Sequence, residues 1–102
     1  MEELVFRHVV MFWWKAGTTQ AQIAAVTAGL ASLPERIAQI QRYEHGPDVG
    51  VAGANADYVL VADFGNSDAW RAYSSHPAHV AVVEESVKPI VERIERIQYT
   101  IG

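Results

Sequence analysis

The side chains best suited to acid–base chemistry are Tyr73, His76 and His79, close together in the second half of the chain, and His8 near its start. An imidazole titrating near neutrality is the usual general base. A phenol or a second imidazole can donate a hydrogen bond to a carbonyl oxygen that is gaining negative charge. Those are the parts needed for enolisation or aldol chemistry if the fold brings them to one cavity. Each also has a plainer reading. His8 reads equally as a strand histidine satisfied by a neighbour, and Tyr73 as an amphipathic core filler. His76, just before Pro77, reads first as a helix cap. His79 falls on the inner side of a helix, where a polar ring needs a partner. A metal on His8, His76 and His79 lacks a carboxylate at a suitable spacing, so no metal is expected. His45, beside Gly46, reads as solvent-exposed.

The elements that must position these groups follow from periodicity. Val5 to Trp14 is rich in β-branched and aromatic residues and reads as a strand with two apolar faces. Phe6, His8, Val10, Phe12 and Trp14 lie on one face; Val5, Arg7, Val9, Met11 and Trp13 lie on the other. Thr19 and Gln22 form a capping-box pattern opening a helix, whose Ile23, Val26, Leu30 and Leu33 share a side and which should end at Pro34. Ile40 to His45 reads as a more polar strand, Gly46 to Ala56 as a loop, and Asp57 to Phe64 as a third strand, also apolar on both faces. Asn66 or Ser67 should cap a helix over Asp68 to Ser74. A further helix starts at Pro77 and ends near Lys88, before Pro89. Arg93 to Ile101 alternates as a last strand.

The order β-α-β-β-α-(α)-β is that of the split βαβ, ferredoxin-like arrangement: an α+β protomer with a four-stranded antiparallel sheet and helices on one face. That arrangement leaves Val9, Met11, Trp13, Val59 and Val61 uncovered by their own chain. At roughly 25 cal/mol per Å² of apolar surface, leaving them in water costs several kcal/mol, which points to a homodimer packed sheet to sheet. If the other face of the first strand meets the helices, His8, Tyr73 and His79 share a cavity. Its apolar substrate-binding wall would be Val10, Phe12, Val26, Leu30 and Val82.

Composition bounds the remaining possibilities. A chain of 102 residues, half hydrophobic and a fifth charged, holds one domain, expected over residues 1–102. Twelve acidic against 8 basic residues give a net charge of −4 without a Lys/Arg cluster, so no nucleic-acid partner is expected. The absence of cysteine excludes thiolate catalysis and Cys-ligated metals. Met1-Glu2-Glu3 is acidic where an export signal is basic, and no segment approaches the roughly 20 apolar residues that span a bilayer. The expected location is cytoplasmic, with no membrane association. No Gly-rich phosphate motif is present, and no cofactor is expected.

Arg7-His8-Val9-Val10-Met11-Phe12, Asp57-Tyr58, Tyr73-Ser74-Ser75-His76-Pro77-Ala78-His79-Val80 and Val87-Lys88-Pro89 resemble the stress-responsive dimeric α/β-barrel (Dabb) family over nearly the whole chain. The His-Pro-x-His segment is the most specific part. The resemblance implies a ferredoxin-like protomer whose sheet pairs with a second copy into a dimeric α/β barrel. The family includes a polyketide cyclase, olivetolic acid cyclase, which closes a linear polyketide by intramolecular aldol condensation. That pattern implies a polyketide cyclase-like cyclase or lyase acting on a small hydrophobic carbonyl or polyketide-like ligand. His79 would be the base that removes an acidic methylene proton, Tyr73 would orient it or polarise the carbonyl, and His8 would assist binding. The chain departs from the cyclase in the small Ala24, Ala25 and Ala28, expected on the cavity wall, and in Pro89, so the substrate does not carry over. Two alternatives stay open: a non-catalytic small-ligand-binding or stress-protective dimer, and, by fold analogy, a cofactor-free or haem-using monooxygenase.

Overall fold

A computed structural model describes residues 4–102; the acidic Met1-Glu2-Glu3 start lies outside the described residues. Strand β1 (Val5–Trp14) pairs along both edges, with β3 (Tyr58–Phe64) on one side and β4 (Val91–Ile101) on the other. With β2 (Arg42–Pro47) beyond β3, the sheet order is β2-β3-β1-β4 and every pairing is antiparallel. Four helical pieces join the strands: α1 (Gln20–Ala31), α2 (Leu33–Arg36), α3 (Ser67–Ser75) and α4 (Pro77–Val82), the last running on into a π-helical turn, Val83–Val87. This is the ferredoxin-like α+β arrangement expected from the order of elements.

Local chemistry sets the ends of these elements. The Thr19 hydroxyl accepts from the Gln22 backbone N–H, and the Gln22 side chain accepts from the Thr19 N–H, so the capping box forms in full. Asn66 caps α3 by accepting from the Ala69 N–H at 2.8 Å. Helix α1 stops at Ala31 instead of Pro34, because the chain turns at Ser32 and Pro34 enters the first turn of α2, where a missing N–H costs nothing. Strand β2 is displaced from Ile40–His45: the chain joins the sheet only where the Gln41 N–H reaches the Asp63 carbonyl, and pairing runs on to Pro47. Strand β4 starts earlier than Arg93, at Val91, held by the Lys15 N–H on the Ile90 carbonyl at 2.7 Å.

The even positions of β1 face the helices. Val10, Phe12, Leu60, Ala62 and Phe64 pack there with Val26, Leu30, Leu33, Tyr73, Ala78 and Val87 in one core. The opposite face carries Val9, Met11, Trp13, Val59 and Val61, and Met11 and Val59 are 39% and 38% exposed. Strand β4 adds Ile97, Tyr99 and Ile101 to this open face, since they pair with Val9, Arg7 and Val5.

Helix α1 approaches α4 at Gly29, where an added Cβ would lie 2.9 Å from one Val82 methyl and 3.3 Å from the other. Replacing glycine by alanine inside a helix ordinarily gains up to about 1 kcal/mol, but forcing atoms into a packed contact costs about 1–3 kcal/mol. We therefore expect Gly29→Ala to lower the urea midpoint. A raised midpoint would mean that Val82 has room to move aside.

Candidate functional site

The site is organised by a break between two helices. Pro77 has no N–H to offer the end of α3, and the N–H of Ala78 is taken by Nδ1 of His76 at 3.0 Å, so His76 caps α4. The carbonyl of Ser74 is left without its usual helical donor. Nδ1 of His79 fills the position, 3.0 Å from that oxygen. A carbonyl can only accept, so Nδ1 carries the proton and Nε2 keeps its lone pair. Burial lowers the His79 pKa, and the nearby His76 adds to this, while the Ser74 carbonyl opposes it. The ring is therefore a neutral base at neutral pH.

Tyr73, in the last turn of α3, packs against that ring with centroids 4.3 Å apart. Its hydroxyl lies 2.7 Å from the hydroxyl of Tyr43, on the helix-facing side of β2. Burial pushes the Tyr73 phenol up to about 12, and the bond from Tyr43 pulls the other way. The Tyr43 phenol is raised by burial and by Tyr73. Either hydroxyl of the pair can donate to the other, and in the arrangement where Tyr43 donates the Tyr73 proton is left free.

His8 stands on β1 opposite Gln98 of β4, and the Gln98 amide donates to its Nδ1 at 2.9 Å. An Nδ1 that accepts leaves Nε2 protonated, so His8 offers a donor where His79 offers an acceptor. Burial, with Arg96 and His79 adding to it, brings the His8 pKa down to about 4. The indole of Trp70 packs 5.6 Å from the His8 ring, and its N–H is buried with no partner among the described residues.

His8, Tyr73 and His79 meet on one cavity of about 150 Å³ between the sheet and α3–α4. Its walls include Val10, Phe12, Leu30, Leu60, Val83, Val87 and Ile94, with Trp70, Ser74 and Arg96 completing them. Of the apolar residues expected on the wall, Val10, Phe12 and Leu30 are there and two are not. Val26 is wholly buried under α1, and Val82 points at Gly29, so both belong to the packed core. Ala24, Ala25 and Ala28, expected on the wall, lie on the solvent side of α1. His45 is half-buried instead of solvent-exposed: its Nδ1 lies 2.9 Å from the Tyr58 hydroxyl, which also meets Thr27. Among the described residues no cluster of three or more His, Cys, Asp or Glu is grouped to hold a metal ion. No described helix is long and apolar enough to cross a membrane.

Tyr43, Gln98, Trp70 and Arg96 were not apparent as site residues from the sequence. Alternation puts Tyr43 and His45 on one face of β2, which is the available signal for Tyr43. The partnership of Gln98 and His8 depends on a strand register that joins the two ends of the chain.

The family model described as "Stress responsive A/B Barrel Domain" matches residues 6–101. A stress-response A/B barrel domain-containing protein of Arabidopsis thaliana is 27% identical over 96 residues; the match covers 93% of this chain but only 36% of that longer protein. A solved structure of a dimeric ferredoxin-like protein of unknown function from Thermobifida fusca is 31% identical, with a TM-score of 0.90 over 98% of this chain and 93% of that one. The hydroxynitrile lyase of Passiflora edulis shares the fold at a TM-score of 0.83 and 21% identity, covering 98% of this chain and 94% of that one.

The two cavity histidines should separate in an NMR pH titration. His8 ring signals are expected to stay unshifted through pH 6 and to move near pH 4, with His79 titrating below the usual imidazole value of about 6.5. The unfolded chain then binds the extra proton first, so this part of the stability is complete above about pH 6.5 and falls away toward pH 4. His8 titrating near 6.5 would show that water reaches the ring freely.

Proposed function

The chain belongs to the stress-responsive A/B barrel domain family, and from that premise we propose that it is a homodimer whose protomers each catalyse cofactor-independent acid–base chemistry on a small carbonyl compound. One observation carries this reading: the Nδ1 bond to Ser74 that leaves His79 Nε2 unprotonated, beside Tyr73 and across the cavity from a histidine of the opposite tautomer. The solved relative from Thermobifida fusca, itself dimeric, and the open apolar sheet face support the dimer.

In this mechanism His79 Nε2 takes a proton from the carbon beside the carbonyl, and the C–H electron pair moves into the enolate. Tyr73 O–H and His8 Nε2–H donate to the oxygen that becomes negative, and Tyr43 holds the Tyr73 oxygen so that the Tyr73 proton is free to point at the substrate. The enolate carbon then adds to a second carbonyl, and the His79 imidazolium returns its proton to the new alkoxide. Burial makes that imidazolium a strong acid, which suits the return step. An intramolecular addition of this kind is the polyketide cyclase-like reaction. The hydroxynitrile lyase of Passiflora edulis shares the fold, so a sheet and helix layer of this kind can house an enzyme.

The test is exchange of α-hydrogens in D2O across a panel of small ketones and oxo acids, followed by NMR. The wild-type protein should accelerate exchange. His79→Ala should abolish it, and Tyr73→Phe and Tyr43→Phe should each slow it by about tenfold or more without changing the oligomeric state. Bound ligand recovered unchanged by mass spectrometry, with no exchange, would favour binding without turnover.

For the dimer, Met11→Glu puts a charge at the centre of the open face and should yield monomer or insoluble protein by light scattering. A stable Met11→Glu dimer would rule out sheet-to-sheet pairing.

A further inference from the structure

The cavity holds one formal charge, and it is positive. With both histidines neutral, Arg96 is the only ionised residue among the described residues on its wall, and no described carboxylate lies there although the chain carries 12 acids against 8 bases. Arg96 faces the helix side of the sheet, opposite Val10 in the β1–β4 register and next in line to the Gln98–His8 pair. Arg7, Arg42, Arg71 and Arg93 each pair with a carboxylate of their own chain, to Asp63, Glu44, Asp68 and Glu95. Arg96 has no such ion pair among the described residues.

Other polar groups on the same wall add donors. His8 presents Nε2–H, and the buried N–H of the neighbouring Trp70 is without a partner among the described residues. A guanidinium with no carboxylate partner among the described residues, sharing an apolar pocket wall with neutral donors, favours an anion there, and the planar guanidinium fork matches a carboxylate in geometry. The size is also bounded. A cavity of about 150 Å³ takes a molecule of about the size of benzene, and this one has that volume.

We propose that the ligand is a small apolar carboxylic acid, its carboxylate paired with Arg96 and its body lying against Val10, Phe12 and Val87. Under the acid–base reading, on which this assignment of substrate class rests, the reacting carbonyl then sits between His8 and His79, as in a short oxo acid.

The experiment measures binding to the full chain, so it does not depend on turnover. Benzoate and its neutral isostere benzamide are titrated calorimetrically at low salt into the wild-type protein and into Arg96→Gln, Arg96→Lys and His79→Ala. The wild-type protein should bind benzoate about tenfold or more tightly than benzamide. That preference should vanish in Arg96→Gln and survive in part in Arg96→Lys, with benzamide affinity unchanged. Arg96 is exposed, so these variants should keep the wild-type melting temperature. His79→Ala should still prefer benzoate, and it would do so even if the catalytic reading failed. Equal binding of the two probes, no benzoate binding at millimolar concentration, or an undiminished preference in Arg96→Gln would overturn the proposal.

Discussion

The arrangement of the site depends on the exchange of partners at the α3–α4 break. In an uninterrupted helix the Ser74 carbonyl would receive the N–H of Ala78. Here that N–H goes to His76 and the carbonyl goes to His79. Pro77 enforces the exchange, since it has no N–H of its own and its ring is compatible only with the first turn of α4. The His-Pro-Ala-His segment is thus one device: the first histidine releases an acceptor and the second uses it to fix a tautomer. Tyr73 stands in the last turn of α3 and so comes to lie against the ring that the break has oriented.

The sheet imposes the second constraint. With helices on one side only, neighbouring residues of β1 live in different surroundings. His8 is desolvated between sheet and helices, whereas Arg7, next to it, lies on the open face and closes a two-bonded pair with Asp63 at 2.7 and 2.8 Å. That pair satisfies both charges within one protomer, and the Arg7 bonds hold the Asp63 carboxyl below its ordinary range. A second sheet can then cover the face without facing an unpaired ion, which would otherwise cost several kcal/mol. Strand β4 follows the same logic with its polarity turned over. Its polar Arg96 and Gln98 point inward, where the cavity needs them, and its apolar Ile97, Tyr99 and Ile101 point outward to the open face.

These relations explain what could be read from residue order. Strand alternation and helical spacing carry orientation, which suffices to bring His8, Tyr73 and His79 to one side of one layer. They carry no register, so Gln98 and Arg96 were invisible as neighbours of His8 and Val10 until β1 and β4 were paired. Tyr43 was hidden for a related reason: the start of β2 is set by the Gln41 bond to Asp63, not by an apolar pattern. Helix α1 misled in the opposite direction. Its alanines and aliphatic residues are distributed almost evenly around the axis, and only Val26 and Leu30 are buried along it. The spacing of Ile23, Val26, Leu30 and Leu33 nevertheless marks the core side, since Val26, Leu30 and Leu33 are buried and Ile23 packs against the core. The alanines fall on the solvent side, while Gly29 lets α4 approach closely through Val82.

The two histidines of the cavity illustrate how little the residue type decides. Both are buried, both are held below the ordinary imidazole pKa, and both use Nδ1 for a single structural bond. The partner at that nitrogen makes the difference. A backbone carbonyl forces a proton onto Nδ1 of His79 and frees a base at Nε2; an amide donor removes the proton from Nδ1 of His8 and leaves an acid hydrogen at Nε2. A donor and an acceptor thus face one small apolar space without any charge between them. The nearby Arg96 guanidinium reinforces the division, because the same positive charge that disfavours a second proton on His8 favours negative charge developing in the space between.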